Sequence, residues 1–202
     1  MKKSRTLTCG FATLAVFAAQ AGSAAADPWG TNTEDTGWDP DPNEHTYCFE
    51  SGAFTATDRN RIHDVYYVTD VNSDMTRLHM TSCTGNTDVR WEDWSGFGYF
   101  RGNFACVSWS GSQCNSGRGM LDTTTIASDN WAGGSYANGF RKDACHEMGH
   151  SMGLTHYKDQ NGTFPNPPYN QQDCMISGDV NDDTTFQAYG AHHKDHINND
   201  AF

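Results

Sequence analysis

The stretch HEMGHSMGLTH, residues 146–156, carries side chains that could bind a metal ion. His146 and His150 are four residues apart, so on a helix they would project from one face, one turn apart. Neutral imidazole is a common zinc ligand, and two ligands on one helix would fix part of a tetrahedral site. Glu147 lies beside the first histidine, where its carboxylate could reach a metal-bound water without becoming a ligand. These residue types predict hydrolytic zinc chemistry.

The end of the same stretch supplies a third candidate ligand. Gly153 tolerates positive φ and can turn the chain sharply, so that His156 swings back towards the first two histidines. Three protein ligands leave a fourth position for water, which is the arrangement of a catalytic site rather than a structural one. Shuffling a chain with 9 His, 20 Gly and 5 Glu among 202 residues would give H-E-x-x-H-x-x-G-x-x-H with a probability of about 4 in 100,000. The sequence therefore predicts one catalytic zinc ion.

A helix must position the first two histidines. Residues 137–152 predict one, because apolar residues recur every four positions and would form a buried stripe. The stripe consists of Phe140, Ala144, Met148 and Met152. Ser135 or Asn138 could cap the first turn.

The remaining pattern predicts a mixture of strands and helices within one domain. Strands are expected at 45–56, 87–94 and 120–126, and a bent, glycine-rich edge strand with a loop at 96–119. A helix over 59–71, capped by Thr57 and Asp58, would bury Ile62, Val65, Tyr66 and Thr69. Residues 157–174 lack periodicity and contain three prolines, which predicts a loop, and a final helix is expected within 179–199.

The N-terminus has the three-part layout of a secretory signal peptide. Lys2, Lys3 and Arg5 precede an apolar run, and small residues follow up to Ala26. The apolar run is shorter than the roughly 20 residues that cross a bilayer, so we expect cleavage and secretion rather than a stable membrane anchor. Residues 1–26 would be the signal peptide, residues 27–44 an acidic N-terminal segment, and residues 45–202 the catalytic domain.

Charge and cysteine content narrow the environment and the partners. Cleavage would leave 202 − 26 = 176 residues and remove three of 13 basic residues, giving a net charge of 10 − 25 = −15. Such an acidic chain is poorly suited to nucleic acid or an anionic membrane. An even number of cysteines in an exported chain predicts three disulfides, for which fifteen connectivities exist. The candidates are Cys48, Cys83, Cys106, Cys114, Cys145 and Cys174, and Cys106 could close a loop with Cys114.

The motif resembles that of the metzincin metallopeptidases, HExxHxxGxxH followed by a Met-turn. His146, Glu147, His150, Gly153 and His156 match the first part. DCMIS at 173–177 resembles the Met-turn, with Met175 expected beneath the metal. The specific resemblance covers residues 140–180. It implies an α+β fold with a twisted, mostly parallel sheet of about five strands, an antiparallel edge strand, an active-site helix, and a small C-terminal subdomain that ends in a helix.

The same resemblance implies a secreted, monomeric zinc endopeptidase that acts on protein or peptide substrates. A water activated by zinc would attack the peptide bond, with Glu147 as general base and then general acid. An extended substrate would pair with an edge strand near 104–110. Tyr157, Phe164 and Tyr169 of the loop would form the wall of the pocket.

The placement of the Met-turn implies a disulfide between Cys145 and Cys174. Cys145 directly precedes the first ligand, and Cys174 directly precedes the Met-turn methionine. With Cys106 assigned to Cys114, Cys48 and Cys83 remain as the third pair.

The subfamily stays open because two residues depart from known groups. Tyr157, after the third histidine, matches no group-specific residue, and Ser177 stands where astacin-like and serralysin-like members carry a tyrosine that can bind zinc. The short spacing from His156 to Met175 favours matrixin-like or short secreted actinobacterial (snapalysin-type) members. Snapalysins, however, carry aspartate as the third ligand.

Two other functions and two other motifs remain to be weighed. The chain could be a non-catalytic secreted binding module on the same fold, although Glu147 argues against it, or a zinc amidase that acts on cell-wall peptides.

His192, His193 and His196 form a second histidine cluster, which we interpret as packing or solvated. DVNSD (70–74) and DVNDD (179–183) could attract Ca²⁺, but neither fits the EF-hand loop, so calcium is weakly supported.

Overall fold

A computed structural model shows the fold of the chain. It describes residues 39–40, 44–95, 100–111, 113–128, 135–154, 156, 173–177 and 184–198. The expected signal peptide, most of the acidic segment, the pocket-wall residues Tyr157, Phe164 and Tyr169, and the acidic run 179–183 lie outside the described residues.

In the described chain one helix lies between the second and third strands, and the other helices follow the last strand. The strands are β1 (Asp39–Pro40), β2 (His45–Phe49), β3 (Arg77–His79), β4 (Val89–Asp93), β5 (Gly102–Ser110) and β6 (Gln113–Leu121). The helices are α1 (Ala56–Asp70), α2 (Thr123–Ser128), α3 (Tyr136–Ser151) and α4 (Ala191–His196), with a 3-10 helix at Thr184–Gln187. The predicted α+β class is confirmed.

The strands form one mixed sheet. Its main order is β1-β6-β4-β2-β3, and β5 pairs with β6 outside this order. All pairs are parallel except β5–β6, which runs antiparallel from Gly102 opposite Leu121 to Ser110 opposite Gln113. A register irregularity between Cys106 and Trp109 bends β5, as bulges do at sheet edges. The mostly parallel sheet with an antiparallel edge strand is confirmed. Its sixth strand is the two-residue β1.

The core lies between the sheet and the helices α1 and α3. Tyr47 of β2 stacks on Tyr66 of α1 at 3.7 Å between ring centroids, and Trp91 of β4 donates a hydrogen bond to the Tyr66 hydroxyl. The α1 residues predicted to be buried, Ile62, Val65, Tyr66 and Thr69, are all buried. Each large apolar side chain in this layer contributes about 1.5–3 kcal/mol. This layer fixes α3, the helix that carries the metal-site motif, against β5 and β6.

Several predicted boundaries were wrong, each for a local reason. Helix α1 begins at Ala56 because Thr55, not Thr57 or Asp58, is its N-cap, and the Thr55 hydroxyl accepts from the Asp58 amide. The strand predicted over 120–126 ends at Leu121, since the Asp122 carboxylate caps α2 by accepting from the Thr125 amide.

At the C-terminus, the predicted single helix is two short ones. Gly190 has extended backbone between the 3-10 helix and α4. Phe186, Tyr189, His193 and Ile197 are nevertheless buried.

Three disulfides join Cys48 to Cys83, Cys106 to Cys114, and Cys145 to Cys174. These are the pairs that the sequence favoured, and three disulfides are consistent with an extracellular protein. None of the helices in the described ranges is both long and apolar enough to cross a membrane.

Candidate metal centre

Helix α3 presents the motif from a well-defined start and a buried back face. Ser135 is the N-cap, and its hydroxyl accepts a hydrogen bond from the Asn138 amide at 3.3 Å. The predicted stripe of Phe140, Ala144, Met148 and Met152 is buried. Because the helix is anchored along this stripe, the direction in which His146 and His150 project is fixed.

The chain reverses at Gly153, which has φ of +81°. The Gly153 amide donates to the His150 carbonyl and the Leu154 amide donates to the Gly149 carbonyl, which is the hydrogen-bond pattern of a Schellman cap. A side chain at this φ would be strained, so the turn favours glycine. The reversal brings His156 back beside His146 and His150.

The three histidines converge through their Nε2 atoms. These atoms are 2.8 Å apart between His146 and His156, 3.2 Å between His146 and His150, and 3.0 Å between His150 and His156. Tetrahedral zinc with Zn–N of about 2.0–2.1 Å would separate its nitrogen ligands by about 3.3–3.4 Å. Small side-chain movements therefore suffice for the three nitrogens to hold one such ion.

The tautomers of two histidines are set by backbone carbonyls. His146 Nδ1 lies 2.8 Å from the Cys174 carbonyl, and His150 Nδ1 lies 3.0 Å from the Leu154 carbonyl. A carbonyl only accepts, so each Nδ1 carries the hydrogen and each Nε2 directs a lone pair into the site. Two lone pairs that converge in this way suit a shared cation.

Protonation of His146 or His150 does not supply that cation at neutral pH. Burial, followed by the charges of Lys142 and the neighbouring histidines, lowers the pKa of His146 well below its usual value. Burial and His156 lower the pKa of His150 to about 3. A metal ion is therefore the cation that this donor set fits. Among the described residues, these three histidines are also the only group of three or more potential ligands close enough to share one ion.

Glu147 is buried beside the first histidine, against the start of β5. A Cβ atom at Gly102 would lie only 2.6 Å from Glu147 Oε1, so the strand can approach the carboxylate this closely because it has glycine there. Burial raises the pKa of Glu147 well above its usual value, and the Asp143 charge raises it further. The group is suited to accepting and holding a proton.

A buried ion-pair cluster ties the start of β5 to α3. Arg101 Nε lies 2.8 Å from Asp143 Oδ2, and Lys142 Nζ lies 3.6 Å from Asp143 Oδ1. Burial raises the pKa of Asp143, an effect that the two cations only partly offset. Sequence reasoning missed this cluster. Two adjacent charged residues on a helix that is buried on several sides are a signal that buried partners are required.

The segment 173–177 lies under α3, where the Met-turn is expected. Met175 is fully buried, and a Cβ atom at Gly149 would overlap its sulfur. The Cys174 carbonyl accepts from His146, while the Cys174 sulfur is bonded to Cys145 on α3. Ser177, where a tyrosine ligand would stand in other groups, is exposed.

The second histidine cluster is arranged differently. His193 is buried with Nδ1 at 2.7 Å from Asp173 Oδ2, while His192 and His196 pack ring to ring at 5.0 Å. The acidic run 70–74 forms no ligand group of the kind found at the three motif histidines, within the part of the chain that the structure describes. Asp70 in that run is paired with Arg77 instead.

Comparison with known proteins gives little further information. No family model matches the chain, and no curated protein matches it. Two solved structures of myroilysin match at 17% identity and a TM-score of 0.37. The first match covers 59% of this chain and 52% of the other, and the second 61% and 48%, so the chain spans about half the length of these structures. The case for a function therefore comes from the site.

Proposed function

We propose that this chain is a secreted zinc-dependent endopeptidase of the metzincin type. The observation that carries the proposal is the convergence of three histidine Nε2 atoms, two of them with carbonyl-fixed tautomers, next in sequence to a buried glutamate. His146, His150 and His156 would hold one zinc ion. The ion would supply a Lewis acid and lower the pKa of a coordinated water towards about 7.

Glu147 would act as the general base and then the general acid. Its raised pKa favours taking a proton from the attacking water and returning it to the leaving amine. The carboxylate is held by its burial and by the close approach of Gly102. Because the helix fixes both the first ligand and Glu147, neither needs to reorganise during the reaction.

Strand β5 would bind an extended protein or peptide substrate. It pairs with β6 along one side and begins at Gly102, which contacts Glu147. A peptide added along the edge of β5 opposite β6 would gain backbone hydrogen bonds and would pass the site in an extended form. Val107 and Trp109 are exposed on this strand and could contact substrate side chains. The pocket wall of Tyr157, Phe164 and Tyr169 stays a prediction.

The metzincin assignment has support beyond the three ligands. Gly153 adopts the positive φ that turns the chain so that His156 lies beside the other two histidines, and Met175 packs against Gly149 of α3. The resemblance to matrixin-like or snapalysin-type members stays a prediction.

Hydrolysis of casein by residues 27–202 tests the proposal. We expect zinc-loaded wild type to cut casein and Glu147→Ala to lose activity by at least about 1,000-fold while it still binds one zinc ion. Glu44→Ala, which changes an exposed glutamate outside the motif, is the matched control and should keep full activity. Equal cleavage by wild type and Glu147→Ala would refute the proposal. Cleavage of peptidoglycan but not of casein would instead identify the amidase.

A further inference from the structure

The peptide unit between Cys174 and Met175 links the metal centre to the C-terminal helix. Its carbonyl oxygen accepts from His146 Nδ1 at 2.8 Å, and its amide donates to Asp173 Oδ1 at 2.9 Å. The C=O and N–H of a trans peptide point in opposite directions within one plane. The Asp173 carboxylate therefore fixes the direction in which the carbonyl faces His146.

Asp173 is itself held from the other side. Its Oδ2 atom accepts from the Gly190 amide at 2.7 Å and from His193 Nδ1 at 2.7 Å. Asp173 and His193 are both almost fully buried. Burial alone would raise the pKa of Asp173, but the hydrogen bond and charge of His193, together with the hydrogen bonds from the Gly190 and Met175 amides, outweigh it and lower the pKa. The carboxylate is thus an ionised acceptor at neutral pH, with one oxygen bonded to the turn and the other to the start of α4.

Two other contacts hold this region without fixing the same peptide plane. The Cys145–Cys174 disulfide ties the turn to α3, and the Tyr189 hydroxyl donates to the Cys145 carbonyl at 2.6 Å. The disulfide limits the distance between the turn and α3, and the Tyr189 bond limits the distance between the segment before α4 and α3. Neither bonds to the Met175 amide, whose partner is Asp173.

We propose that Asp173 and His193 are a positioning pair that orients the Cys174 carbonyl towards His146 and so sets the zinc affinity of the centre. Ligand histidines depend on the acceptor at their second nitrogen for ring orientation and basicity, and loss of such partners lowers metal affinity by about 10- to 100-fold. This inference rests on the proposed zinc site. It assigns a role to the one buried histidine of the second cluster.

Zinc affinity, measured by competition with a chromogenic chelator on residues 27–202, tests the inference. We expect Asp173→Asn and His193→Ala to bind zinc about 10- to 100-fold more weakly than wild type. His193→Asn keeps a side-chain N–H donor near the position of Nδ1, so its affinity should recover to within a few-fold of wild type. His196→Asn, one turn along α4, is the matched control and should leave the affinity unchanged.

Unfolding of the metal-free variants separates positioning from loss of the fold. If Asp173→Asn does not fold, the comparison of His193→Ala with His193→Asn carries the test alone. Wild-type zinc affinity in folded Asp173→Asn or His193→Ala would overturn the inference, as would equal weakening in His193→Asn. Absence of zinc binding by wild type would instead overturn the proposed function.

Discussion

Two groups of three histidines near the C-terminal half of the chain have similar spacing and different surroundings. His146 and His150 are four apart on α3, and His192 and His196 are four apart on α4, with ring centroids 4.8 Å and 5.0 Å apart. In the first group, carbonyls bind two Nδ1 atoms and the Nε2 atoms converge. In the second, His193 turns Nδ1 to a carboxylate. Spacing on a helix thus places imidazole rings together in both groups, but among the described residues the ligand nitrogens of three histidines converge only in the first.

Removal of one histidine from each group should give the largest contrast. His150→Ala leaves two of three ligands, and we expect zinc affinity to fall by at least about 1,000-fold. His192→Ala, the matched change on α4, should keep one equivalent of zinc at wild-type affinity. Metal analysis after dialysis against a zinc buffer measures both. Equal loss from the two variants would remove the distinction between the groups.

His45 is a buried histidine outside both groups, and its burial should make the stability of the protein depend on pH. His45 Nε2 lies 3.0 Å from the Ser151 hydroxyl, which donates to the Met148 carbonyl and so accepts from His45. Burial lowers the pKa of His45 to about 4. Below pH 6.5 the unfolded chain takes up a proton that the folded chain excludes until about pH 4. The free energy of unfolding should therefore fall by about 3 kcal/mol between pH 6.5 and pH 4 from this residue alone.

Urea unfolding of wild type and His45→Gln across this pH range isolates the contribution. The difference in unfolding free energy between the two should shrink steadily as the pH falls from 6.5 to 4. A difference that stays constant with pH would show that His45 is not held neutral by burial.

The Gly102→Ala variant tests whether activity depends on the position of Glu147 beside the three motif histidines. Alanine there would place Cβ 2.6 Å from Glu147 Oε1 and displace the carboxylate, so we expect activity to fall by about 100-fold with zinc still bound. Gly85→Ala is the control, because nothing lies within 4 Å of a Cβ at that position. Casein cleavage rates compare the two variants. Wild-type activity in Gly102→Ala would show that the close approach of β5 does not position Glu147.

Removal of the N-cap of α1 should give the smallest effect of these changes. Thr55→Ala removes the N-cap that accepts from the Asp58 amide and should cost about 1 kcal/mol of stability. The three histidines of the motif are remote in sequence, so zinc affinity should not change. Thermal unfolding and chelator competition measure the two quantities. A changed zinc affinity would show that the centre is coupled to the packing of α1.

Sequence reasoning succeeded where the determinants are local. The stripe on α3 and the turn at Gly153 follow from spacing and from one residue type, and both are present. It failed where a single side chain changes the outcome, as Asp122 does by capping α2 at the start of a threonine-rich run that favours a strand. Strand β3 was missed because three residues carry too little pattern. The bond between Asp173 and His193 joins positions 20 apart, and only the folded chain brings them together.

The most direct test is zinc K-edge X-ray absorption of residues 27–202 loaded with one equivalent of zinc. We expect three imidazole nitrogens at about 2.0–2.1 Å and one further oxygen or nitrogen, with one imidazole fewer in His156→Ala. A wild-type spectrum with fewer than three imidazoles, or one that His156→Ala leaves unchanged, would contradict it.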